Sequence, residues 1–117
     1  DLLHLIQEFY KKLLSDNSIN YFFTDVAKIN LDHHFPVLVD FWDSILFQSG
    51  TYQKNAMEPH MALHRKKPLQ KHHFDIWLSY FKQTVDELFD GQTAFIAKER
   101  ATSIATVMQI KISQLAP

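Results

Sequence analysis

The sequence predicts an all-α domain of four substantial helices around one core, and three observations carry that prediction. Apolar residues return every three or four positions along almost the whole chain, the spacing of a single helix face. No segment alternates apolar and polar residues as a half-buried strand would. Internal repeats and low-complexity tracts are absent, so a solenoid or a disordered linker has no support. At 117 residues the chain is expected to form one domain over its full span, 1–117.

The first helix is marked by Leu2/Leu3, Ile6, Phe9/Tyr10 and Leu13/Leu14, and Asp16-Asn17-Ser18 breaks it. A short irregular stretch with three aromatic residues, Tyr21-Phe22-Phe23, then runs to about Asn30. The second long helix carries Leu31, His34/Phe35, Leu38, Phe41/Trp42 and Ile45. Pro36 has no amide donor, so this helix should begin only a turn earlier or bend there. Ser49 to Pro59 reads as loop, with Gly50 and Pro59 as breakers. A short helix over about 60–66 precedes Pro68. The third long helix holds Phe74, Trp77/Leu78, Phe81, Val85 and Leu88/Phe89, with Asp90-Gly91 as its C-cap signal. The fourth runs from about Thr93 to Leu115 through Ala97, Ala101, Ile104, Met108 and Ile112.

Composition removes several classes of function. A formal charge of −1 is not the basic excess of a nucleic-acid surface. Without cysteine there is neither a disulfide framework nor thiolate chemistry, and a reducing compartment is permitted. No apolar run approaches the ~18 residues of a membrane span, and the N-terminus lacks a secretory pattern, so the cytoplasm is the expected location. Ten Phe, four Tyr and two Trp suffice either to fill a core or to wall a large flat apolar guest. A Gly-rich phosphate loop, a Gly-x-Ser-x-Gly elbow and a Cys–His pair are all missing.

Histidines carry what chemistry remains. His64, in Leu63-His64-Arg65-Lys66-Lys67-Pro68, lies thirteen residues before Trp77 and thirty after His34. The residues alone leave it open between a surface histidine and a metal ligand. Pro68 ends its helix just beyond, so late carbonyls should be free to accept a bond from the second ring nitrogen and fix the tautomer. His34 falls on the core stripe of the second helix, whereas His33 is turned ~100° away and should be solvated. Tyr10 and Trp77 place a hydroxyl and an indole N–H on two further core stripes, where buried polar groups need partners. His60 and His64 share one helix face at zinc-ligand spacing, which keeps a zinc-binding helical module open, as is a module with no metal at all. His72-His73 should sit in the first turn of their helix or in solvent, and His4 should be exposed.

Taken in order, Phe9-Tyr10, Phe22-Phe23, His34-Phe35-Pro36, Phe41-Trp42, His64, His73-Phe74, Trp77-Leu78, Gly91 and Arg100-Ala101 resemble the truncated haemoglobins of group III. The resemblance runs from Glu8 to Ile104, and the scarcity of glycine sets the chain apart from the other truncated groups. It implies a two-over-two globin fold, with the first two long helices crossed on the last two and haem b between them. By the same resemblance His64 is the proximal iron ligand, and Tyr10, His34 and Trp77 form the distal face. Phe23, Leu38, Phe41, Trp42, Leu63, Phe74 and Ile104 are implied as pocket lining, and Arg65, Lys66 or Lys67 as partners of the haem propionates.

The expected ligand is a small diatomic gas (O2, NO or CO), cyanide or peroxide, with neither nucleic acid nor membrane as a partner. Redox or nitric-oxide chemistry is expected ahead of transport. Turnover as a nitric-oxide dioxygenase or a peroxidase would need an external electron donor. If mutation left the haem spectrum intact at His64, the ligand role would pass to His60 or His34.

Overall fold

The computed structural model describes residues 2–26, 30–47 and 57–114. Residues 48–56, most of the expected loop, and Leu115 lie outside the described ones.

Helix α1 spans Leu2–Ser15 and buries Leu5, Ile6, Phe9, Tyr10 and Leu13 along the stripe its spacing dictates. Each such side chain contributes about 1.5–3 kcal/mol when removed from water. Asp16 stops the helix by turning its carboxylate to the Ser18 amide at 2.8 Å. The Tyr80 hydroxyl donates to the same carboxylate at 2.6 Å, tying the end of α1 to a later helix. These donors hold the Asp16 carboxyl below its usual range, the Ser18 hydroxyl bond first and the Tyr80 bond next. The aromatic stretch that follows is less irregular than its sequence suggests. Ile19 and Phe22 are buried, and Phe22–Val26 winds as one wide π turn.

Helix α2 spans Leu31–Phe47 and carries Pro36 in its second turn, close enough to the start that only one early helix bond is lost. Helix α3 spans Met57–Lys66 and begins three residues earlier than the sequence predicts. Pro59 lies in its first turn, where a missing N–H costs nothing, so this proline helps open the helix rather than break the chain. Helix α4 spans Lys71–Leu88 and α5 spans Gln92–Ser113.

Gly91 acts differently from its expected role. Helix α4 is closed by Phe89 in an extended conformation, its amide bonded to the Val85 carbonyl at 2.8 Å. Gly91, at φ 88°, is instead the N-cap of α5, and its carbonyl accepts from the Phe95 amide at 3.1 Å.

Helix α1 packs on α2 and α4, α4 packs on α5, and α2 and α3 both reach α5. This is the expected two-over-two arrangement, all-α among the described residues. Ala94, Ala97, Ala101 and Ala105 on the buried face of α5 let it lie close to its neighbours. At the centre, Phe81 is fully buried between two indoles. Trp42 stacks on it at 4.7 Å and Trp77 at 5.8 Å, while Phe9 meets it edge-on at 5.3 Å. Among the described residues, no helix is long and apolar enough to cross a membrane.

Candidate functional site

Between the two helix layers lies a cavity of about 340 Å³ with walls that are overwhelmingly apolar. Ten of the predicted site residues line it: Tyr10 from α1, Phe23 from the π turn, His34, Leu38, Phe41 and Trp42 from α2, Leu63 from α3, Phe74 and Trp77 from α4, and Ile104 from α5. The helix periodicities meet here because the face each helix buries is the one its apolar stripe defines.

The distal residues form a connected group. Burial pushes the Tyr10 phenol far above its ordinary value, so it stays protonated. Its oxygen lies 3.0 Å from His34 Nε2, which settles the direction of His34: the ring turns into the cavity. Four rings hold Tyr10 edge-on, those of Phe9, Phe23, His34 and Phe35, with centroids 5.4–5.7 Å away. The His34 pKa is lowered, first by burial and then by the nearby charge of His60, so His34 is neutral at pH 7. Trp77 is held by stacking on Phe81, and its indole N–H has no protein acceptor among the described residues.

His60, in the middle of α3, also places its imidazole on the cavity wall. His64, one turn later, is not on the wall. Its Nδ1 accepts the Leu69 amide at 2.9 Å, which pins the ring to the Pro68 turn. The expected bond from the ring to a helix carbonyl is therefore replaced by the opposite polarity, with the backbone donating to the ring. Arg65, Lys66 and Lys67 are exposed beyond the wall.

Sequence reasoning passed over several lining residues: Ile6, Phe9, Ile19, Phe22, Val37, Leu69, His73, Ala105 and Met108. Phe9 and Met108 lie on stripes read only as core, and Phe22 belongs to the aromatic run. His73 could not be found from spacing alone. It is only 5% exposed, and its Nδ1 accepts the Gln70 amide at 3.0 Å, while Nε2 lies 3.0 Å from the Tyr21 hydroxyl. It does sit in the first turn of its helix, as expected. His72 is exposed, as are His4 and His33. Among the described residues no group of three or more His, Asp or Glu could hold a metal ion, so the His60/His64 pair has no third protein ligand for zinc.

An all-α two-over-two fold enclosing an aromatic slot with imidazoles on its walls defines a globin of the truncated class. The chain belongs to the bacterial-like globin family, whose profile matches residues 1–112. It is 23% identical over 108 residues to a group 3 truncated hemoglobin of Campylobacter jejuni, covering 90% of this chain and 83% of that protein. The crystal structure of a group III truncated hemoglobin from Campylobacter jejuni matches with a TM-score of 0.85 at 20% identity, covering 99% of this chain and 91% of the other. Membership of the family implies haem binding and a small gaseous ligand.

The residues present fit that group. A flat apolar macrocycle suits a slot walled by Phe23, Phe41, Trp42 and Phe74, and iron needs one neutral imidazole beside it.

Proposed function

We propose that this protein would hold haem b with His60 as the iron ligand, and that Tyr10, His34 and Trp77 would meet a diatomic ligand bound there. The observation that carries this reading is the cavity wall itself, where His60 enters from α3 and the polar trio enters from α1, α2 and α4. The role first expected of His64 passes to His60, since the Nδ1 lone pair of His64 is already engaged by Leu69. Bound haem would supply iron able to take up a small gaseous ligand and a one-electron couple. The rest is done by the chain.

The Tyr10–His34 pair sets the polarity of the distal face. When His34 Nε2 carries the proton, it donates to the Tyr10 oxygen, and the Tyr10 O–H is released to donate into the cavity. When Nε2 is bare, Tyr10 donates to it and offers the cavity only lone pairs. A shift of one proton around the His34 ring thus converts Tyr10 from acceptor to donor without movement of a heavy atom. Trp77 supplies a second, fixed donor. Two donors aimed at a ligand that gathers negative charge retain it, each by ~1 kcal/mol or more. Slow release favours ligand chemistry, such as nitric-oxide or peroxide conversion with an external reductant, over transport.

The test is an absorption titration of the apoprotein with haemin. A strong Soret band is expected in the wild type, its loss in His60→Ala, and its return when imidazole is added. A colourless wild type would overturn the reading, and a His60→Ala protein with an unchanged band would remove His60 as the ligand.

A further inference from the structure

Trp42 and Trp77 line the cavity, and both stack on Phe81 behind its wall, at 4.7 and 5.8 Å. Tyr80 follows Trp77 by three residues on α4, so the two side chains are neighbours on the helix surface, with Cβ atoms about 5–6 Å apart. Tyr80 in turn opens on a surface groove formed with Glu8, Lys11, Lys12 and Ser15 of α1 and Gln83 of α4. An aromatic path thus runs from the cavity to solvent through α4. The chain contains no cysteine, so indoles and phenols are the side chains that give up single electrons most readily.

A phenol yields an electron readily only if its proton leaves at the same time, because the oxidised phenol is a strong acid. The partner of each hydroxyl therefore decides which tyrosine can serve. Tyr10 is buried and belongs to the distal group. Tyr21 faces His73, whose Nδ1 accepts the Gln70 amide; the neutral ring then carries its proton on Nε2 and has no lone pair for the Tyr21 proton. Tyr80 donates to Asp16 Oδ2 at 2.6 Å. Oδ1 of the same carboxylate accepts the amide and the hydroxyl of Ser18, which fixes Oδ2 toward the phenol. The Ser18 hydroxyl first, and Tyr80 next, lower the Asp16 pKa, so the carboxylate is ionised at pH 7 and able to take a proton. The bond to Asp16 raises the Tyr80 pKa, so the phenol keeps its proton until an electron leaves. Among the described tyrosines, Tyr80 alone joins a surface opening to an ionised acceptor.

We infer that Tyr80 and Asp16 form a proton-coupled electron relay, through which an electron-rich phenol docked in the surface groove delivers electrons to peroxide in the cavity. The inference rests on the haem reading in its peroxide form. Peroxide needs two electrons and two protons to become two waters. Each electron passes inward from Tyr80 by way of Trp77, while the Tyr80 O–H proton moves to Asp16 Oδ2. The docked phenol then gives one electron to the Tyr80 ring and releases its own proton to water, and Asp16 returns its proton to the Tyr80 oxygen. Two such cycles consume two phenols, each leaving as a neutral phenoxyl radical. The two protons they release balance those taken up with peroxide, and the relay ends each cycle unchanged.

The experiment mixes ferric haem-loaded protein with hydrogen peroxide and a nitroso spin trap, and locates the trapped adduct by peptide mass spectrometry. The wild type should carry the adduct on Tyr80, with a matching tyrosyl signal in freeze-quenched electron paramagnetic resonance. Tyr80→Phe should lose both. Asp16→Asn keeps an oxygen to which the phenol can donate but cannot accept its proton, so it should lose most of the Tyr80 adduct with its helical circular dichroism unchanged. Trp77→Phe should lower the Tyr80 adduct formed per peroxide consumed. Hydroquinone, an electron-rich phenol, should abolish the adduct in the wild type. An adduct confined to other residues, an undiminished Tyr80 adduct in Asp16→Asn or Trp77→Phe, or one that persists under saturating hydroquinone would overturn this inference and leave the haem reading intact. A haem-loaded wild type that leaves peroxide unconsumed would overturn the inference together with the peroxide route. Failure of the wild type to take up haem would overturn both readings.

Discussion

Replacing His64 with alanine separates the two histidines of α3 most cleanly. In the structure its ring makes one hydrogen bond, from the Leu69 amide to Nδ1 at 2.9 Å, and stands off the cavity wall. The substitution removes one acceptor for a backbone donor at a half-buried site. Net loss of such a bond is worth about 0.5–1.5 kcal/mol, and leaving the amide partly unsatisfied keeps the figure in the upper half, near 1 kcal/mol. For a domain of this size that corresponds to a fall of about 3–6 °C in Tm. The assay is paired: urea or thermal unfolding of the apoprotein, and the absorption spectrum after haem is added. Stability should fall by that amount while the Soret band survives. His64→Asn should recover part of the loss, since an amide oxygen can replace Nδ1 as the acceptor. Loss of the band in His64→Ala, with recovery by free imidazole, would refute the assignment to His60 and return the iron to His64.

In the haem-loaded protein, Tyr10→Phe and Trp77→Phe should each speed ligand loss severalfold, and together by about tenfold or more, as measured by stopped-flow displacement; an unchanged rate in the double variant would end the donor scheme. Phe81→Ala should cost about 3–5 kcal/mol in chemical denaturation, because both stacked indoles lose their partner, and a loss under about 2 kcal/mol would show that the core closes over the gap. Burial holds His34 and His73 neutral below the imidazole value of about 6.5, whereas the unfolded chain binds protons there. Apoprotein stability is therefore full above about pH 6.5 and should fall as the pH drops from there toward the lowered folded values, with a smaller fall in His73→Phe; a flat profile between about pH 7 and 5 would contradict the assignment.

The fold was legible because its determinants are periodic. Leu5, Ile6, Phe9 and Leu13, or Phe81 and Val85, announce their burial by recurring at helix spacing, and a helix that buries one stripe can bury only that stripe. What stayed hidden depends on where helices start and stop. Pro59 reads as a breaker in the sequence but falls in a first turn, and Gly91 reads as an ending but opens α5. In each case the residue is compatible with either side of a boundary, and the neighbouring packing chooses.

The same limit explains the histidine pair. His60 and His64 are four residues apart, so they project from α3 within about 40° of each other and no periodicity argument can separate them. What separates them lies beyond the helix. After Lys66 the chain must turn at Pro68 to begin α4, and the turn brings the Leu69 amide back toward the last turn of α3. A backbone donor without a helix partner needs an acceptor, and the imidazole at position 64 is within reach, whereas the one at position 60 is a full turn, about 5.4 Å, further back. The turn thus occupies one histidine and leaves the other on the cavity wall. Leu69 itself lines the cavity, so the bond that takes His64 away from the pocket also fixes part of its wall. The sequence contains every participant in this choice, but it resolves only when the direction of the chain after Pro68 is known.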